Sequence, residues 1–232
     1  MALKQLIVDL ETTGTLENGG AIYEICAIAL INGVRKGKFH AYLLPHKGAN
    51  LEFKSKDFHK DSKDPSKVYS AFKLFLDCFI NKYNPEDKFE FVAYNVNFDF
   101  NYVLKWAALN EDKYIWSYFN KNPLCLYHSV NFLLSATRQK QVLKNLKLGT
   151  VCKFFQIPIK EDKLHGADYD TEVTLKLMRK LNKMTKSIGK INYDKPKRKT
   201  NRRASVQSSQ SNQSVPARMV SVPSEVLSET EE

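Results

Sequence analysis

Apolar residues recur along the first 188 positions with two spacings, every second residue and every third or fourth. Leu6, Ile7 and Val8 form a short apolar run that ends on carboxylates, which predicts a buried strand. Residues 23–33 (YEICAIALING) and 37–45 (GKFHAYLLP) predict two more strands, joined across the turn-like N-G-V-R-K-G. Between Pro65 and Tyr83, apolar positions 68, 72, 75, 76 and 79 keep helical spacing, with the proline in the first turn. FEFVAYN (89–95) predicts a strand, NFDFNYVLKWAALN (97–110) a helix, and PLCLYHS (123–129) a short strand or a loop. Helices are predicted over LKLGTVCKFFQI (146–157) and ADYDTEVTLKLMRKLNKM (167–184), with Val173, Leu177, Leu181, Met184 and Ile188 as the apolar face of the second. Strands clustered early, followed by strand–helix alternation, predict an α/β fold: a mixed sheet flanked by helices.

Near Gly189 the pattern stops. A basic run (Lys195, Lys197, Arg198, Lys199, Arg202, Arg203), a Ser/Gln tract and an acidic end follow. Such a segment buries too little apolar surface to offset its ordering entropy. The chain therefore divides into a folded domain, 1–188, and a disordered tail, 189–232, which either binds nucleic acid, acts as a nuclear address or only solubilises. No run of eighteen apolar residues predicts a membrane span. The N-terminus lacks a signal-peptide pattern, so a cytoplasmic or nuclear setting is expected and secretion is not. Cys26, Cys78, Cys125 and Cys152 form no C-x-x-C pair and sit among apolar neighbours, which predicts buried small hydrophobes rather than a zinc site or disulfides. A net charge of +11 over 232 residues suits a polyanionic partner, nucleic acid or an anionic surface.

Asp9 and Glu11 close the first predicted strand at positions i and i+2, so both carboxylates emerge on one side. They form either a solvated acidic strand end or half of a site for a hard cation, Mg²⁺ or Mn²⁺. Asp99 starts a helix whose apolar face continues through Val103, Trp106 and Ala107; it is either a first-turn charge or a buried acid in need of a partner. Asp170 lies three residues before Val173 and extends the core-facing stripe of the last helix. His165 precedes it in a loop, where a neutral imidazole could take a proton from water. Asp168 points away from Asp170 on the helix and is expected to face solvent.

Together these residues resemble the DEDDh 3′–5′ exonucleases. Asp9-Leu10-Glu11-Thr12-Thr13-Gly14 looks like the first motif of that family, D-x-E-T-T-G. Asn95-Val96-Asn97-Phe98-Asp99 looks like the second, N-x-x-F-D, and His165-Gly166-Ala167-Asp168-Tyr169-Asp170 fits the third, H-x-A-x-x-D. The segment G-A-I-Y-E-I-C-A-I also resembles the family's second strand. Gly166 stands where a sister group carries tyrosine, which selects the histidine subclass. Tyr94 stands where many relatives have histidine, a departure that bears on substrate preference.

The resemblance implies an RNase H-like fold and Asp9, Glu11, Asp99 and Asp170 as ligands of two Mg²⁺ or Mn²⁺ ions, about 3.5–4 Å apart. His165 is implied as general base, and nucleoside 5′-monophosphates as products. Thr12, Thr13, Asn95 and Phe98 are implied at the terminal nucleotide, Phe98 either stacking on a base or belonging to the core. Single-stranded 3′ ends are the expected partner, with a polymerase or other replication protein as a second. The first motif favours DNA. An exoribonuclease is the alternative that keeps the chemistry, and a nucleic-acid-binding scaffold is the one that abandons it.

Overall fold

A computed structural model of the chain describes residues 2–51 and 58–185. The tail expected over 189–232 and the apolar position Ile188 lie outside the described residues. Five strands form one sheet: β1 (Lys4–Thr12), β2 (Ile22–Ile31), β3 (Val34–Tyr42), β4 (Glu90–Ala93) and β5 (Leu124–Cys125), in the order β3-β2-β1-β4-β5. β1, β2 and β3 pair antiparallel, while β4 and β5 run parallel to β1. The helices are α1 (Pro65–Asp77), α2 (Val96–Leu109), α3 (Leu126–Ala136), α4 (Leu148–Phe154) and α5 (Ala167–Thr185).

The alternation along β1 sorts its side chains between two cores. Leu6, Val8 and Leu10 join a cluster with Val68, Phe72 and Leu76 of α1 and Val103 and Trp106 of α2. Ile7 faces the opposite way, into a cluster with Val130 of α3, Val151 of α4 and Val173 and Leu177 of α5. With period two, Asp9 and Glu11 fall on the Ile7 face, where α5 packs. Each fully buried Leu, Ile or Phe contributes about 1.5–3 kcal/mol relative to exposure, so β1 is fixed from both sides.

Local chemistry explains where elements start and stop. Asp64 caps α1 by accepting the Ser66 and Lys67 backbone N–H groups at 3.0 Å, and Pro65 takes the first helical position. That helix ends at Asp77, short of the expected Tyr83, and Phe79 packs edge-on against Phe75 from the following turn. β2 and β3 meet at a two-residue turn in which Asn32 (φ 52°) and Gly33 (φ 77°) are both left-handed, so β3 begins at Val34 rather than Gly37. The 123–129 segment is strand only at Leu124–Cys125; from Leu126 it is the start of α3, a helix that the apolar pattern did not separate from a strand. Cys26, Cys125 and Cys152 are buried as expected, but Cys78, the C-cap residue of α1, is exposed. No described helix is long and apolar enough to cross a membrane.

Candidate active site

The C-terminal end of β1 opens into a cleft of about 450 Å³. Asp9, Glu11, Asp99 and Asp170 all line it, together with His165, Thr12, Asn95 and Phe98. Carboxylate oxygens of Asp9, Glu11 and Asp170 lie within 4.8 Å of one another. Asp99, only 4% exposed, is set deeper in the first turn of α2, and its carboxylate accepts the Leu10 backbone N–H. Sheet, α2 and α5 thus each deliver acid to one place, from positions 161 residues apart in the chain.

Burial raises the Asp9 carboxyl well above its usual range, and the charges of Asp99, Asp170, Glu11 and Glu24 push it further. Asp99 is raised chiefly by burial and then by Glu11, against the lowering effect of its backbone hydrogen bonds. Asp170 is raised by burial, opposed by the backbone N–H and charge of His165. Acids that hold their charge this reluctantly fit a site that a divalent cation completes. Asp170 carries the sharper sign. Its Oδ2 accepts the His165 backbone N–H at 3.2 Å, whereas its buried Oδ1 has no hydrogen-bond partner among the described residues. A buried oxygen without a donor is costly unless something positive meets it. Four oxygen-bearing acids and that orphan oxygen are a donor set suited to Mg²⁺ or Mn²⁺.

His165 is exposed and adopts φ 70°, a left-handed conformation that brings its N–H back onto Asp170. Asn95 is exposed at the start of α2, and its side chain makes no cap hydrogen bond. Phe98 packs 5.0 Å from Tyr102, on the edge of the core, and also lines the cleft. Thr12 lines the cleft with its hydroxyl donated to the Gly14 carbonyl at 3.0 Å.

Thr13 does not join them. Its side chain is fully buried, and its hydroxyl donates to the Asn50 carbonyl and accepts the Ala21 N–H at 3.0 Å. Asp168, half-exposed, pairs with Lys38 outside the acid cluster. Tyr23 and Leu148 line the cleft without having been expected there, and so does Tyr94, the departure from the second motif that bears on substrate preference. Tyr94 donates its hydroxyl to the Leu146 carbonyl, so it braces the wall ahead of α4; its place before Asn95 was the signal that could have found it. Glu24 faces Glu11 across β1 and β2 and is buried, with His40 Nε2 at 2.9 Å.

The RNase T exonuclease family matches residues 6–178. The chain is 28% identical over 198 residues to Ribonuclease T of Buchnera aphidicola subsp. Baizongia pistaciae, covering 79% of this chain and 86% of that protein. It is 27% identical over 182 residues to the PolC-type DNA polymerase III of Bacillus subtilis, covering 76% of this chain and 11% of the polymerase. Among solved structures, cell-death related nuclease 4 superposes with a TM-score of 0.61 at 16% identity, over 78% of this chain and 64% of that one. The zinc-bound Escherichia coli exonuclease I–single-stranded DNA complex does so with 0.58 at 20% identity, over 81% and 42%.

Proposed function

The chain belongs to the RNase T exonuclease family, and on that premise we propose that it is a metal-dependent 3′–5′ exonuclease that trims single-stranded 3′ ends and releases nucleoside 5′-monophosphates. The observation that carries this is the convergence of Asp9, Glu11, Asp99, Asp170 and His165 on one open cleft.

Asp9, Glu11, Asp99 and Asp170 are assigned as the residues that hold two Mg²⁺ or Mn²⁺ ions. Such ions supply Lewis-acid activation of water and neutralise charge building on the phosphate and the leaving 3′ oxygen. His165, exposed and lining the same cleft as Asp170, takes the proton from the attacking water. Thr12, Asn95 and Phe98, which line the same cleft as the acids, hold the terminal nucleotide, with Phe98 as the ring that stacks on its base.

RNA ends come first in this proposal, because the relative called Ribonuclease T is matched over most of its own length and the PolC-type polymerase over 11%. The D-x-E-T-T-G motif keeps DNA ends as the second substrate, and with them a replication partner. A cytoplasmic or nuclear setting accords with either. End-labelled single-stranded RNA and DNA of one sequence, digested side by side with and without Mg²⁺, test all of this. Stepwise shortening from the 3′ end is expected, and loss of it in Asp9→Ala. Internal cleavage of a circular strand, or no release of mononucleotides with either ion, would overturn the proposal.

A further inference from the structure

A second pocket, of about 190 Å³, adjoins the catalytic cleft and shares Leu148, His165 and Asp170 with it. Its remaining wall includes Lys147, Thr150 and Lys153 from α4 and the residue before it. From 138 to 164 the chain carries seven basic residues against two acidic ones, and Lys147 and Lys153 of that segment line this pocket. Lys153 pairs with Glu161 at 2.6 Å, but both side chains are more than half exposed, and a pair so placed contributes little and yields readily to a phosphate. Lys147 is exposed and makes no ion pair among the described residues.

The residues that the two pockets share mark where a strand would pass from one to the other. Asn95, Phe98, Asp9, Glu11 and Asp99 line the catalytic cleft alone, whereas His165 and Asp170 line both it and the pocket of the lysines. If the terminal nucleotide rests against Phe98 and its phosphate over the acids, the next phosphates of the strand leave past His165. Acids surround the scissile phosphate, so affinity for the rest of a polyanion must come from elsewhere, and these lysines are the cations at hand.

Resting on the exonuclease function proposed above, we propose that the Lys147–Lys153 pocket binds a backbone phosphate of the single strand upstream of the scissile bond, with Lys147 as its principal cation. The pocket makes longer strands bind more tightly than the shortest ones, without reading their sequence.

The test measures anisotropy of a fluorescein-labelled single-stranded decamer and of a labelled dinucleotide, with calcium replacing magnesium so that binding is followed apart from cleavage. Lys147→Ala is expected to weaken decamer binding by about five- to tenfold and to reduce the slope of log affinity against log salt by about 0.7, the value for one phosphate on a single strand. The decamer-to-dinucleotide affinity ratio falls accordingly, and Lys147→Arg restores most of it. An unchanged decamer affinity and salt slope would overturn the proposal, as would an equal loss on both lengths. Cleavage with magnesium is scored separately. Wild-type protein that binds the decamer through Lys147 yet releases no mononucleotide would sink the exonuclease function and leave the phosphate pocket standing.

Discussion

At the scale of single residues, His165 carries the most testable assignment, because its backbone and its ring do separate work. The N–H holds Asp170 Oδ2 from a left-handed conformation, and the ring is free to serve the cleft. Replacement by alanine removes the ring and also strains the backbone, because alanine adopts the left-handed conformation less readily than histidine, asparagine or aspartate. Asparagine tolerates that conformation and removes only the imidazole. His165→Asn is therefore expected to lower turnover by about 10²–10⁴ with an unchanged melting temperature, and His165→Ala to lose the same activity and melt earlier. Wild-type turnover in the asparagine variant would remove His165 as base. These residues were legible because carboxylates and a histidine at strand and helix ends are chemically conspicuous. The burial of the Thr13 side chain was not, because its hydroxyl closes on Asn50, a partner 37 positions away that no local pattern names.

Elements were legible where one periodicity ran long enough. β1, β2, α2 and α5 each hold a regular stripe, and β1, α2 and α5 deliver the acids. The run from 123 to 129 is too short to distinguish two spacings, so a two-residue strand and the opening of an eleven-residue helix merged into one expectation. The turn from Thr13 to Ala21 is a different matter, since its form follows from close approach rather than from hydropathy. A Cβ on Gly20 would stand 2.6 Å from the Gly14 carbonyl carbon and 2.7 Å from the Tyr102 hydroxyl, which itself donates to the Gly14 carbonyl at 2.7 Å. Gly20→Ala must push this turn off Tyr102, and the turn closes the end of β1 on which Glu11 and Thr12 sit. A loss of about 1–3 kcal/mol in stability is expected from such overpacking, with activity falling as well. Chemical denaturation reads the first, and a variant as stable as wild type would show that the turn has room it does not display.

For the whole molecule, the acid cluster sets a cost in stability that a cation relieves. Asp9 is raised above its unfolded value, near 3.9, so as pH rises the unfolded chain ionises first and metal-free stability falls until the folded-state value is passed. Asp9→Asn removes that loss: its metal-free melting temperature should exceed wild type at neutral pH, by about 2–4 °C per kcal/mol, and converge with it below about pH 4. Mg²⁺ or Mn²⁺ should raise the wild-type melting temperature and leave Asp9→Asn nearly unmoved. An equal shift in both proteins would place the ion elsewhere. Charge argues the last point, the division at 188. Eight basic and five acidic residues lie beyond it, so most of the +11 excess belongs to residues 1–188, and both lysines of the second pocket do too. A chain ending at Lys190 is therefore expected to fold, to keep the same products, and to lose at most a salt-sensitive part of its affinity for long strands. Loss of mononucleotide release on truncation, at low and high salt alike, would mean that the tail belongs to the catalytic unit.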